Sequence, residues 1–270
     1  MSDAGSVRTE VLMGTLVTVR VVRSGAAAAI ERAFEWFRYI EERCTRFNAQ
    51  SELMQLTSRI GTPVQVSTIL FEAVQFALGV AGESGGAFDP TTGAPQSGVS
   101  YRDVTLDAEH KTITLLRPLQ LDLGAVVKGL AVDAAARELE PFTDFVVDAG
   151  GDLYLSGRNS SGAPWSVGIP HPQIEGELID TLRVTNKAVC TSGTYERGAH
   201  IVDPRTGASA AAVASATVVA PNAMLADALA TTAFVLGPVE GIRLLERLGL
   251  GGLIFTPALE RHETAGLRHA

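Results

Sequence analysis

The sequence predicts an α+β fold built on a mixed sheet. Three observations point there. Short β-branched runs outnumber the helical segments, the two kinds do not alternate regularly, and no linker is long or polar enough to separate independent domains. The 270 residues are therefore expected to form one domain. Its ordered core should cover about 11–256, with a frayed tail over 257–270.

The elements follow from local pattern. Residues 11–23 are β-branched and read as one strand. Residues 26–43 carry Ile30, Phe34, Phe37 and Ile40 at helical spacing. Ser51 opens a short helix, and Ser67 is placed to cap a helix reaching Val80. Residues 82–98 are rich in Gly, Thr and Pro and read as loop. A hairpin unit should follow over 101–123, with strands at 104–106, 112–116 and 119–123. Gly124 breaks it, and 125–139 reads as a helix ended by Pro141. Short strands are expected at 145–148, 153–156, 165–169, 181–184, 188–191, 200–202, 214–219 and 252–256. Helices are expected at 224–236 and 239–248.

Composition narrows the function classes. Apolar residues make up 46% and charged residues 19%, an ordinary globular balance. The net charge of −8 offers no footprint for nucleic acid or an anionic lipid surface. An anionic ligand would have to be met by local donors or a metal. Cys44 and Cys190 have neither metal-ligand nor redox spacing and read as packed thiols. Residues 1–10 hold no apolar leader, and no apolar run approaches the roughly 18 residues of a membrane span. A cytoplasmic location is the expectation, or a periplasmic one if a leader was removed.

Several constellations carry chemistry. Asp227 and Thr231 lie four apart, so on a helix both oxygens share one face. A carboxylate with a hydroxyl suits Mg²⁺, which completes its octahedron with substrate phosphate and water. His200 ends an apolar run and opens the turn Asp203-Pro-Arg-Thr-Gly207. An imidazole near neutrality can take a proton from a hydroxyl nucleophile. The turn has an echo in Asp89-Pro-Thr-Thr-Gly93, and both follow an apolar pair. Asp122-Leu-Gly-Ala-Val-Val-Lys128-Gly129 opens a helix, where free N–H groups and the lysine suit a phosphate. It is neither a P-loop nor a dinucleotide fingerprint, and Asp122 alone also reads as a cap or turn residue. Asp148-Ala-Gly-Gly-Asp152 either brings backbone close to a ring system or makes a tight hairpin.

Taken in order, Met13-Gly-Thr15, Ser51-Glu-Leu53, Gly86-Ala-Phe-Asp-Pro-Thr91, the stretch from Leu121 to Gly129, Asp148-Ala-Gly-Gly-Asp-Leu153, Thr191-Ser-Gly193, the stretch from His200 to Gly207 and Ala226-Asp-Ala-Leu-Ala-Thr231 resemble the ApbE-type FAD:protein FMN transferases. The likeness covers about 11–256. It implies two closely packed lobes with FAD and Mg²⁺ between them. It also implies transfer of the FMN moiety of FAD onto a Thr or Ser hydroxyl of an acceptor flavoprotein, with release of AMP. Asp227, Thr231 and the backbone carbonyl of Ala125 would then hold the metal. Met13, Phe47, the segment Ala87, Phe88 and Asp89, then Asp122, Lys128 and the backbone of Ile201 would line the FAD site. His200 would be the catalytic base.

The chain departs from the family pattern in a short stretch over 93–101 and in Phe47, where many members carry Tyr or Asn. A family leader is also not seen. Two other readings fit the same residues: a FAD pyrophosphatase using water as nucleophile, and a non-catalytic flavin-binding protein.

Overall fold

In the computed structural model, which describes residues 5–91, 98–193 and 201–267, the chain opens with a hairpin. β1 (Ser6–Leu12) and β2 (Thr15–Val21) pair antiparallel, with Leu12 opposite Thr15. The single strand expected over 11–23 is therefore a turn and a strand. Met13 and Gly14 both take positive φ, 53° and 73°, the conformation that suits a two-residue hairpin turn. A methionine in the left-handed region is uncommon, which hid the break from pattern reading.

The helices follow their spacing closely. α1 (Ala27–Cys44) buries Ile30, Phe34, Phe37 and Ile40. α2 (Glu52–Thr57) is capped by Ser51, which accepts from Met54 N, and α3 (Thr68–Glu83) by Ser67, which accepts from Leu70 N. β3 (Val64–Gln65), β4 (Val104–Asp107) and β5 (Thr112–Leu115) make a small sheet in the order β3-β5-β4. The strand expected over 119–123 does not form. Asp122 N donates instead to the Pro90 carbonyl at 2.7 Å, and the Asp122 side chain accepts from Gly124 N at 2.9 Å. Those bonds turn the chain into α4 (Gly124–Leu139).

The second half builds the main sheet. β6 (Phe145–Ala149), β7 (Asp152–Ser156), β10 (Lys187–Gly193), β11 (Ser215–Ala220), β12 (Gly251–Phe255) and β13 (Arg261–Glu263) join the first hairpin in the order β1-β2-β6-β7-β10-β11-β12-β13. β8 (Trp165–Pro170) and β9 (Leu178–Val184) form a separate ribbon. The α+β class is as expected, but the sheet is antiparallel between all its named strands rather than mixed. Tight turns join β1 to β2 and β6 to β7, and such hairpins can only pair antiparallel. Among the described residues the one parallel pairing is the isolated bridge Ile60–Leu115.

α5 (Ala223–Arg247) runs beneath β10, β11 and β12 and crosses α4, which in turn packs on α1. The two helices expected at 224–236 and 239–248 are the two arms of α5, separated by the non-helical backbone of Gly237 (φ 86°) just before Pro238. By length and composition alone α5 is apolar enough to cross a membrane. Yet 56% of its most apolar window is buried in this core. Alternation along β10–β12 sends the two faces of the sheet into two separate cores. Cys190, Ala216, Val218 and Ile254 face the helices, while Val189, Val219, Leu253 and Phe255 face Trp165, Val167 and Leu182 of the ribbon. The tail is not frayed over 257–267. β13 pairs with β12, Thr264 Oγ1 accepts from Gly252 N at 2.9 Å, and Leu267 is buried in the ribbon-side core.

Candidate functional site

α4 and α5 cross at a glycine. A Cβ on Gly129 would lie 2.4 Å from the Ala223 carbonyl oxygen, so only hydrogen fits there. The close approach brings Asp133 of α4 under the first turn of α5. Its Oδ1 accepts from Ala223 N at 2.7 Å and its Oδ2 from Met224 N at 2.9 Å. Two orphan donors of α5 are thereby satisfied by a side chain from another helix. Burial still pushes the Asp133 carboxyl up.

The same crossing gathers a charged cluster. Asp227, on the second turn of α5, is 4% exposed, and Asp152, the first residue of β7, is 3% exposed. The Lys128 ammonium ion-pairs with Asp152 and stands 3.8 Å from Asp227 Oδ2. Gly129 N donates to that same Oδ2 at 3.3 Å. Two buried carboxylates thus share one ammonium, which leaves a negative charge uncompensated when both are ionised. Burial pushes the Asp227 carboxyl up, and Lys128 opposes the shift. A further cation would remove the imbalance.

The oxygen donors around Asp227 fit a hard divalent ion. Thr231 lies one turn further along α5, and its hydroxyl meets Ser192 Oγ of β10 at 3.1 Å. Ala125 departs from helical geometry (φ −91°, ψ 21°) in the first turn of α4. In a regular helix its carbonyl would receive Gly129 N, the group found here on Asp227. Among the described residues no three His, Cys, Asp or Glu side chains could hold a metal by themselves. Carboxylate, hydroxyl and carbonyl oxygens are the donor set of Mg²⁺ rather than of zinc.

Other motif residues are tied to the start of α4 or to the sheet end where Asp152 lies. The Met13–Gly14 turn and the Gly150–Gly151 turn lie at one end of the sheet, since Gly150 N donates to Leu16 O at 3.1 Å. Asp152 starts β7 at that end. Ala87 and Phe88 are buried, and Asp89 folds its own turn by accepting from Thr91 N at 2.8 Å and Tyr101 N at 3.0 Å. Pro90 then binds Asp122 N, which ties this turn to the start of α4. The Arg46 guanidinium pairs with Asp122 Oδ2 at 3.4 Å and covers the Phe47 ring at 4.9 Å, leaving Phe47 83% exposed. Gly86 faces Tyr101 and Arg205, which places the Asp203–Gly207 turn beside the segment that leads into Asp89. Asp203 holds Arg205 through both carboxylate oxygens. Half-buried Ile201 lines an apolar cavity of about 260 Å³ with Pro172, Ala210, Val213 and Phe234. His200 lies outside the described residues.

Of the expected residues, Ala125, Lys128, Asp227 and Thr231 gather at the α4–α5 crossing; Asp89 and Phe47 are linked through Pro90 and Arg46 to Asp122 at the start of α4, and Met13 lies in the turn beside Gly150. Sequence reading missed Asp152, Asp133 and Gly129 as parts of the crossing. Asp148-Ala-Gly-Gly-Asp152 is indeed a tight hairpin turn, with Gly150 and Gly151 at φ 66° and 96°, but its second carboxylate belongs to the charged cluster.

The model of the ApbE family matches residues 13–98 and 94–254, nearly the whole of this stretch of motifs. The chain belongs to the ApbE family. A relative from Treponema pallidum named FAD:protein FMN transferase is 31% identical, over 96% of this chain and 87% of its own length. One of the same name from Haemophilus influenzae is 27% identical, over 88% and 82%. Among solved structures, the ApbE protein of Thermotoga maritima superposes with a TM-score of 0.90 at 24% identity, covering 98% of both chains. The flavin transferase ApbE of Vibrio cholerae gives 0.88 at 22%, again over 98% of each. The ApbE fold is therefore that of this chain.

Proposed function

We propose that the chain transfers the FMN moiety of FAD to a Thr or Ser hydroxyl of an acceptor flavoprotein and releases AMP, with Mg²⁺ held by Asp227, Thr231 and the Ala125 carbonyl. The observation that carries this reading is the buried, charge-deficient Asp227–Lys128–Asp152 cluster beside the Thr231 hydroxyl. The names of the relatives support the reaction class.

In this reading the diphosphate of FAD lies over the start of α4. Lys128 supplies a point charge to its oxygens, and the N-terminal peptide groups of the helix supply dipoles. The bound metal would polarise the phosphate and neutralise the leaving group. Phe47 and Met13 offer apolar surface to the nucleotide, and Asp122, held by Arg46, accepts hydrogen bonds from it. The acceptor hydroxyl attacks the FMN phosphorus. A new P–O bond forms, the bond to the bridging oxygen breaks, and AMP leaves with that oxygen. The hydroxyl proton passes to His200, adjacent in the chain to Ile201.

The test is to mix the protein, FAD and Mg²⁺ with an acceptor domain and follow flavin fluorescence on a denaturing gel. A covalently fluorescent acceptor band is expected. His200→Ala should slow labelling on the order of a hundredfold or more, the usual contribution of a general base. AMP release without any labelled acceptor would instead favour hydrolysis of FAD by water.

A further inference from the structure

We infer that Asp152 is a positioning residue: it holds the Lys128 ammonium off Asp227, so that Asp227 keeps an oxygen for a divalent cation. The inference rests on the cation proposed above at Asp227. Its own ground is the unequal sharing of one lysine between two buried acids. The ammonium is committed to Asp152, while Asp227 Oδ2 at 3.8 Å is outside hydrogen-bond range. That separation exceeds the length of about 2.8 Å of a charge-assisted bond by about 1 Å.

The backbone fixes Asp152 more firmly than a surface partner would be fixed. It faces Ala149 across the β6–β7 hairpin. The connecting turn is pinned as well, because a Cβ on Gly150 would strike Thr15 Oγ1 at 2.1 Å. Lys128, by contrast, has a flexible four-carbon stem on α4. With the Asp152 charge removed, the nearest carboxylate left to the ammonium is Asp227. A lysine bonded there competes with a metal for the same oxygen, and the local charge that favours the metal is cancelled. Asp152 therefore acts on the metal through Lys128 and touches neither metal nor nucleotide itself.

The experiment uses the full chain without nucleotide, titrated with Mn²⁺ alone, with free Mn²⁺ read by electron paramagnetic resonance. Asp152→Asn is expected to weaken Mn²⁺ binding about 10–100-fold, the range typical for loss of an outer-shell partner. The double variant Asp152→Asn with Lys128→Met should return to the wild-type range, because the competing ammonium is gone. Lys128→Met alone should bind Mn²⁺ at least as tightly as the wild type, and it serves if Asp152→Asn does not fold. A merely structural Asp152 would give no such rescue. Wild-type affinity in Asp152→Asn would overturn the inference, as would a double variant or a Lys128→Met protein tenfold weaker than the wild type. If the wild type and Asp227→Asn take up Mn²⁺ alike, the cation reading itself fails and this inference falls with it.

Discussion

Replacing Asp227 with Asn is expected to reduce flavin transfer by about a thousandfold, roughly 4 kcal/mol of transition-state stabilisation, the scale of a lost catalytic metal. The fold should survive. Asn keeps an oxygen for Gly129 N, the 3.3 Å contact of the native carboxylate. It also removes a charge whose burial is unfavourable. Burial raises the Asp227 carboxyl, so the folded chain holds this proton more tightly than the unfolded chain. Stability from such a group is present at low pH and is lost as pH rises through the folded value. Without divalent cations, then, the variant should melt no lower than the wild type at neutral pH, and any gain should shrink toward acid pH. Thermal melts with chelator at several pH values, beside the labelling assay, check both halves. A variant that keeps its activity would contradict the proposed role.

The largest effect on stability is expected at Gly129. An alanine there would place its Cβ 2.4 Å from the Ala223 oxygen and 2.6 Å from Met224 Cα, both backbone atoms of α5. Neither can rotate away, so α4 and α5 must part. That movement strains the two bonds from Asp133 to the first turn of α5 and the contact of Gly129 N with Asp227. Gly129→Ala should cost about 3 kcal/mol, the upper part of the usual range for overpacking a core. Gly79→Ala is the control. It sits on α3, where a Cβ meets nothing within 4 Å, and the better helix former should stabilise by up to about 1 kcal/mol. Denaturant unfolding of the two variants gives the comparison. Equal midpoints would mean that the helices do not meet as closely as described.

These residues also mark what a sequence can disclose. Asp227 and Thr231 were legible because a helix puts four-apart residues on one face, and α1 because its aromatic positions repeat at the helical period. Ser51 and Ser67 announced their helices through cap chemistry. The Lys128–Asp152 pair was not legible. Its members are 24 residues apart and meet only because β7 starts beside α4. Asp133 acts on a segment 90 residues away, which no local spacing encodes. Residues 119–123 have strand composition, but their place is decided by the bond from Asp122 N to Pro90. The segment after Pro257 lacks a strong strand pattern, yet the edge of β12 supplies pairing partners and Leu267 an anchor.

The central claim is that the α4–α5 crossing holds a divalent ion on the diphosphate of FAD. Crystals grown with FAD and Mn²⁺ and measured at the manganese edge test it most directly. The account predicts one anomalous peak in contact with the Asp227 carboxylate and the Thr231 hydroxyl, about 2–2.4 Å from each as expected for a hard cation on oxygen. Density for the nucleotide phosphates should lie against it. A peak bound elsewhere on the chain, or ordered FAD with its phosphates away from Asp227, would contradict the account.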